Sequence, residues 1–181
     1  MRKIPTLLVR DPEDRRHVTD EVTEGCEWVL AGEGVATRKY DGTCVMRDED
    51  GSWWARREVK PGKSAPSGFV LVEHDETTGK SVGWEPIEQS PFHRFWSQAE
   101  HPGRPGTYEL VGPKVNGNPE RETVHVLVEH AGAQVLPEGG PRTVSSATDQ
   151  VRALGRDGVE GIVWHHPDGR MAKLKARDLR P

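Results

Sequence analysis

The chain has 181 residues, a formal net charge of -4 and a pI near 6.1, with 20 glycines and 14 prolines. That length suits one domain with a sizeable core, and the acidic balance argues against a generic DNA-coating protein while leaving room for a local basic groove. No apolar run approaches the roughly 18 residues of a membrane-spanning helix, no signal peptide is present, and two cysteines make no disulfide framework, so a reduced cytoplasmic setting is the default.

Ile4–Val9 reads as a short strand. Asp11-Pro12-Glu13-Asp14 has the cap and first-turn proline of a helical turn. Trp28–Leu30 and Val35–Lys39 read as strands joined across Gly32-Glu33-Gly34. Thr43–Arg47 and Trp53–Glu58 form a hairpin over the polar turn Asp48–Gly51. Lys60–Gly68 is a Pro/Gly/Ser loop, and Phe69–Glu73 is a further strand.

Asp75–Ser90 is polar and turn-rich. Pro91–Glu100 carries Phe92, Phe95 and Trp96 at helical spacing. Thr107–Val111 and Val124–Val128 read as strands, with a turn-rich loop at Val115–Pro119 between them and a break at Glu138–Pro141 after them. Thr143–Ser146 offers an N-cap for a helix over Ala147–Leu154, which ends near Gly155 or Gly158. Val159–Trp164 and Met171–Lys175 form a final hairpin around Pro167-Asp168-Gly169. Many short strands with a few helices predict an α+β fold of mainly antiparallel sheet, organised as a single domain over 1–181.

Four short motifs carry chemistry. Lys39-Tyr40-Asp41-Gly42 sets a lysine before a tight turn. Tyr108-Glu109-Leu110-Val111-Gly112 puts a carboxylate inside an apolar strand. Glu160-Gly161-Ile162-Val163 follows a glutamate with a glycine that permits close backbone approach. Lys173-Leu174-Lys175 places two ammonium groups on one strand face. Each alone has a plain alternative: a hairpin turn, an edge charge, a solvated edge strand. His165-His166 does not read as a metal pair, because adjacent strand residues face opposite ways. Trp53-Trp54 reads as one core and one surface aromatic, and Cys44 as a small buried residue.

In this order the motifs resemble the covalent nucleotidyltransferase superfamily of ATP-dependent RNA and DNA ligases and messenger-RNA capping enzymes. The text around them is most similar to the small single-domain 5′-to-3′ RNA ligase family also found in vertebrates. It comprises Ala36-Thr37, Asp41-Gly42-Thr43-Cys44, Trp54-Ala55-Arg56, Val115–Pro119 and Glu160–His165. The resemblance spans residues 36–175.

It implies a nucleotidyltransferase (adenylation) domain of antiparallel sheets with a few flanking helices. Lys39 would attack the α-phosphate of ATP to form a lysine–AMP phosphoramidate. The AMP would pass to an RNA 5′-phosphate, and a 3′-hydroxyl would then displace it, as in RNA repair. Lys173 and Lys175 would hold the α-phosphate and, as nearby cations, favour the neutral lysine amine that the attack needs. Glu160 would hold the metal, Mg2+ or alternatively Mn2+, and Glu109 the ribose hydroxyls. Asp41 would orient Lys39 or a metal-bound water, and Arg38 beside the nucleophile joins the nucleotide-binding set. Arg56 would contact the ribose or the 5′-phosphate, and Val163 would line the adenine.

Many DNA ligases and capping enzymes carry arginine where this chain has Cys44, which lowers those two readings. Only six residues follow Lys175, so the expectation is a minimal catalytic domain without an OB-fold. The expected partner is RNA with 5′-phosphate and 3′-hydroxyl ends, not a membrane. Sealing of nicked DNA, nucleotidyl transfer to another acceptor, or nucleotide binding without turnover are the alternatives.

Overall fold

A computed structural model describes residues 2–137 and 140–180. The expected break at Glu138–Pro141 includes Glu138 and Gly139, which lie outside the described residues. Mostly antiparallel strands and a few short helices make this an α+β chain. It divides into two compact units. The first is the continuous stretch Asp41–Gly132 together with Lys3, and the second combines Ile4–Tyr40 with the chain from Ala133 onward.

The first unit is a six-stranded sheet. Its strands are β4 (Thr43–Arg47), β5 (Trp53–Val59), β6 (Val70–Asp75), β7 (Lys80–Pro86), β8 (Gly106–Val111) and β9 (Val126–Glu129), in spatial order β6-β7-β5-β4-β8-β9. The β4–β5 hairpin closes at the expected polar turn, where Asp48 accepts from the Ser52 and Gly51 amides. Strand phase buries Val45, Ala55, Tyr108 and Leu110 on one face. Ile87 and Phe95 pack there as well, the latter from the single-turn helix α2 (His93–Trp96), shorter than the Pro91–Glu100 expectation. Full burial of an aliphatic side chain contributes about 1.5–3 kcal/mol, so this cluster fixes the sheet's register. Trp53 joins this core, while the Trp54 indole N–H donates to Asp48 at 2.8 Å.

Strand β7 falls within the stretch expected to be turn-rich. Gly83 and Lys80 give it weak local strand character, yet it pairs on both sides, with β5 and β6. Pairing and burial of Trp84 and Glu85 override the local signal.

The second unit holds a three-stranded antiparallel sheet in the order β11-β10-β3, where β3 is Val35–Lys39, β10 is Gly161–His165 and β11 is Met171–Lys175. It also holds a two-stranded sheet of β1 (Leu8–Arg10) and β2 (Val18–Val22). The expected strand Ile4–Val9 is thus split. Residues 5–7 run along β11 instead, with Leu7 N–H donating to the Lys173 carbonyl and Lys173 N–H to the Pro5 carbonyl. The far edge, β3, is bonded to residues 134–136.

Two local expectations fail here. Trp28–Ala31 is a helical turn, α1, not a strand. Gly32, at φ 76, donates to the Val29 carbonyl, and Glu33 donates to that of Trp28, which makes the glycine turn a helix stop. A three-residue apolar run has no period to tell the two structures apart. Asp11–Asp14 is not helical: the Asp11 carboxylate accepts from the Glu13 and Asp14 amides in a side-chain turn. Helix α3 (Val144–Arg156) starts at the expected Thr143 cap, which with Ser146 forms a reciprocal capping box. Its Ala147 and Val151, one helical turn apart, join a core with Ile162, Trp164, Ala172 and Leu174. One face of the three-stranded sheet is thereby filled.

Candidate functional site

The opposite face of that sheet carries the charged motifs. Register aligns Lys39 of β3 with Gly161 of β10 and Lys175 of β11 in one cross-strand row. The next row is Thr37, Val163 and Lys173. Period 2 puts all six positions on the side away from Ile162 and Leu174. Lys173 and Lys175 therefore share a face, and Lys39 shares it with them. Arg38 has the opposite strand phase, and its guanidinium lies 4.9 Å from the Tyr40 ring centroid.

Gly161 is required by close approach. A Cβ there would lie 2.1 Å from the Leu174 carbonyl oxygen and 2.8 Å from Lys175 Cα. The position also leaves the middle of the row without a side chain, between the two lysines.

Glu160, just before β10, fills that gap. The Lys39 amine donates to Glu160 Oε2 at 2.6 Å, and Lys175 Nζ is 2.5 Å from Oε1. Arg177 stands 3.4 Å from Oε1. The carboxylate side chain is only 5% exposed. Burial pushes its pKa up, but the Lys39 and Lys175 ammonium groups outweigh burial and hold the carboxyl below its ordinary value. The nearest partner of Lys39 is thus a carboxylate, where the sequence pointed to cations; the cations stand one step further on, across Glu160. The Lys39 amine also donates to the Tyr40 carbonyl at 3.2 Å.

Glu160 was the expected metal ligand. With both oxygens held by ammonium groups it does not fit a divalent cation in this arrangement. Mg2+ takes carboxylate, water and phosphate oxygens, and three nearby cations oppose it.

In the other unit, Glu109 is the buried carboxylate of β8. Its Oε1 accepts from the Gly42 amide at 3.1 Å, and its Oε2 meets His130 Nε2 at 3.0 Å. The other ring nitrogen, Nδ1, meets Thr107 Oγ1 at 3.0 Å. Cys44 of β4 is the register partner of Glu109. Arg56, half-buried on β5, has the phase of Cys44, since Ala55 pairs with Val45. Its neighbour Arg57 faces the other way, 3.9 Å from Glu85. Lys60 and Lys63 are exposed in the loop that follows.

Asp41 begins this unit. Its N–H donates to Glu120 at 2.8 Å, and the Asn116 amide donates to the Asp41 carboxylate and to the Gly42 carbonyl at 3.0 and 2.7 Å. Asn116 has φ 47 and Asn118 φ 59, left-handed conformations that asparagine tolerates. The turn-rich Val115–Pro119 loop is thus the brace of the Asp41-Gly42 turn.

His130, Asn116 and Glu120 escaped the sequence reading. Asn116 had a signal in the turn pattern; His130 and Glu120 had none, being brought in by register and loop closure. His165 Nε2 contacts Thr37 Oγ1 while His166 contacts Glu33 and the edge of Trp28, so these two histidines do face apart. Among the described residues no helix is long and apolar enough to cross a membrane.

No model of a known protein family matches the chain. It is similar to RNA ligase 1 of Mus musculus, at 26% identity, with the match covering 80% of this chain and 66% of that protein. RNA ligase 1 of Rattus norvegicus is 26% identical over 80% of this chain and 67% of its own length. RNA ligase 1 of Danio rerio is 26% identical over 80% and 66%. The chain spans about two thirds of the length of these curated relatives. The resemblance to RNA ligases read from the motifs agrees with this similarity, which covers 80% of the chain.

Proposed function

We propose that this chain is an ATP-dependent RNA ligase that joins 5′-phosphate to 3′-hydroxyl ends through a lysine–AMP intermediate, acting in cytoplasmic RNA repair. The observation that carries the reading is the Lys39–Glu160–Lys175 row on one sheet face. Similarity to proteins named RNA ligase 1 supports the choice of RNA.

In the first step Lys39 Nζ attacks the α-phosphorus of ATP. A nitrogen–phosphorus bond forms, the bond to the β-phosphate oxygen breaks, and pyrophosphate leaves. The attack needs the neutral amine, so a proton must leave Nζ to solvent; Glu160, held ionised by the two lysines, orients the amine at 2.6 Å rather than taking that proton. Lys173 and Lys175 stabilise the charge that gathers on the phosphate oxygens. The triphosphate competes with Glu160 for Lys175 and Arg177, and that competition loosens the row for reaction. Mg2+, or Mn2+, belongs to this reading as the counter-ion of ATP.

Glu109 is the proposed acceptor for the ribose hydroxyls, steadied by Gly42 and His130. Asp41 holds the turn after the nucleophile. Arg56 is proposed for the ribose or 5′-phosphate and Val163 for the adenine, whereas Arg38, on the opposite phase of β3 and over Tyr40, drops out of the nucleotide set.

Incubation with α-labelled ATP and Mg2+ should label the protein, and Lys39→Ala should abolish the label. Matched 5′-phosphorylated RNA and nicked DNA then report the acceptor. Absence of label on folded protein with any nucleotide would leave only nucleotide binding. Label with DNA sealing and no RNA sealing would move the function to a DNA ligase.

A further inference from the structure

We propose that Cys44, Glu109 and His130 form a binding site for a thiophilic divalent cation, zinc in particular, within the six-stranded unit. The three side chains each offer one ligand atom, and these atoms all lie within 4.8 Å of one another. Sulfur, imidazole nitrogen and carboxylate oxygen are the donors zinc takes, whereas magnesium rejects the first two.

The geometry needs little adjustment. Ligands of a tetrahedral zinc, with bonds of ~2.0–2.3 Å, stand about 3.3–3.6 Å apart. His130 Nε2 and Glu109 Oε2 are already 3.0 Å apart. With the three atoms within 4.8 Å of one another, Cys44 has at most about 1.2–1.5 Å to close, within reach of a side-chain rotation.

The outer contacts of a metal site are also present. The nitrogen of His130 that would not bind metal meets Thr107 Oγ1, and the Glu109 oxygen that would not bind metal accepts from Gly42. Such contacts set the tautomer and aim the ligands. Cys44 and Glu109 are register partners on neighbouring strands, so their separation is set by the sheet. Neither cysteine of the chain is in a disulfide. On binding, the Cys44 thiol releases its proton to solvent and the thiolate takes the metal, with no change of oxidation state. Three protein ligands leave the fourth position to water or to an incoming group.

One consequence rests on the reading of Glu109 as the ribose acceptor. Zinc and ribose compete for the same carboxylate oxygen, so zinc inhibits adenylation and a chelator restores it.

The test uses the full chain stripped of metal. Titration with Co2+ should give a thiolate-to-cobalt charge-transfer band that saturates at one equivalent and vanishes on addition of zinc. Cys44→Ser and His130→Ala, folded by circular dichroism, should lose the band. Thr107→Val should weaken binding by roughly 10–100-fold, the range for loss of an outer contact. Cobalt binding without a thiolate band, or equal binding by Cys44→Ser, would overturn the site. In lysine–AMP labelling, one equivalent of zinc should suppress the wild type but spare Cys44→Ser, each measured against its own zinc-free rate. Equal suppression of both would overturn the competition. If the zinc-free protein, supplied with ATP and Mg2+, takes no label at all, the ligase reading falls, and the cobalt spectrum still decides the metal site.

Discussion

Replacing Glu160 with glutamine should destabilise the protein far more than loss of a surface charge. The carboxylate side chain is 5% exposed, and the Lys39 and Lys175 side chains it separates are 17% and 16% exposed. Glutamine keeps one acceptor oxygen but leaves two part-buried ammonium groups without a counter-charge. Breaking a buried ion pair from one side costs about 3–5 kcal/mol. The residual solvent access of both lysines puts this case at the lower end, about 3 kcal/mol. For a chain of this size that is a fall in Tm of about 6–12 °C, at roughly 2–4 °C per kcal/mol.

The cost should depend on pH, and the sign follows from the direction of the shift. The folded Glu160 carboxyl titrates below its ordinary value of 4.5. Its contribution is therefore fully present above that value and is lost as pH falls through the lower, folded pKa. Urea unfolding of wild type and Glu160→Gln should show a wide gap near neutral pH that narrows in acid. Lys39→Met and Glu160→Gln should couple, by about 0.5–3 kcal/mol in a double-mutant cycle. A loss below about 1 kcal/mol at neutral pH, as for an exposed pair, would refute the bridging role, and so would a gap that widens in acid.

Two substitutions test the frame around the row. Gly161→Ala drives a methyl group into the Leu174 carbonyl, a backbone atom that cannot swing aside, and should cost about 1–3 kcal/mol in denaturant unfolding. The same change should lower lysine–AMP labelling, because it displaces the backbone that carries Lys175. Thr143→Ala removes the side-chain half of the α3 capping box and should cost about 1 kcal/mol by thermal unfolding, with labelling retained.

The readable parts of the molecule were those decided by neighbours in sequence. Period 2 put Lys173 and Lys175 on one face, the Asp48–Gly51 turn set the β4–β5 hairpin, and Thr143 marked the start of α3. What escaped was decided by distant pairing. Strand β7 owes its existence to β5 and β6, and α1 to a glycine stop that resembles a hairpin turn. At the site, Glu160 lies just outside its strand, so alternation says nothing of where its carboxylate goes. Cys44 has no metal-ligand spacing around it in the chain, because its companions come from β8 and the turn after β9. Register across strands brings them together, and no local window holds it.

The order of the chain through its two units has a consequence for biosynthesis. Asp41–Gly132 is one uninterrupted stretch, whereas the second unit begins before it and is completed after it. Strand β11, with Lys173 and Lys175, is the last strand described, and β10 next to it also comes late. A ribosome therefore delivers Lys39 early and Glu160 and Lys175 well over a hundred residues later. At synthesis rates of about 5–20 residues per second, the six-stranded unit has seconds in which to fold while Lys39 waits for its partners. Lys39 is thus made first and paired last, and a nascent chain cut short before β10 carries it without Glu160 or Lys175 beside it.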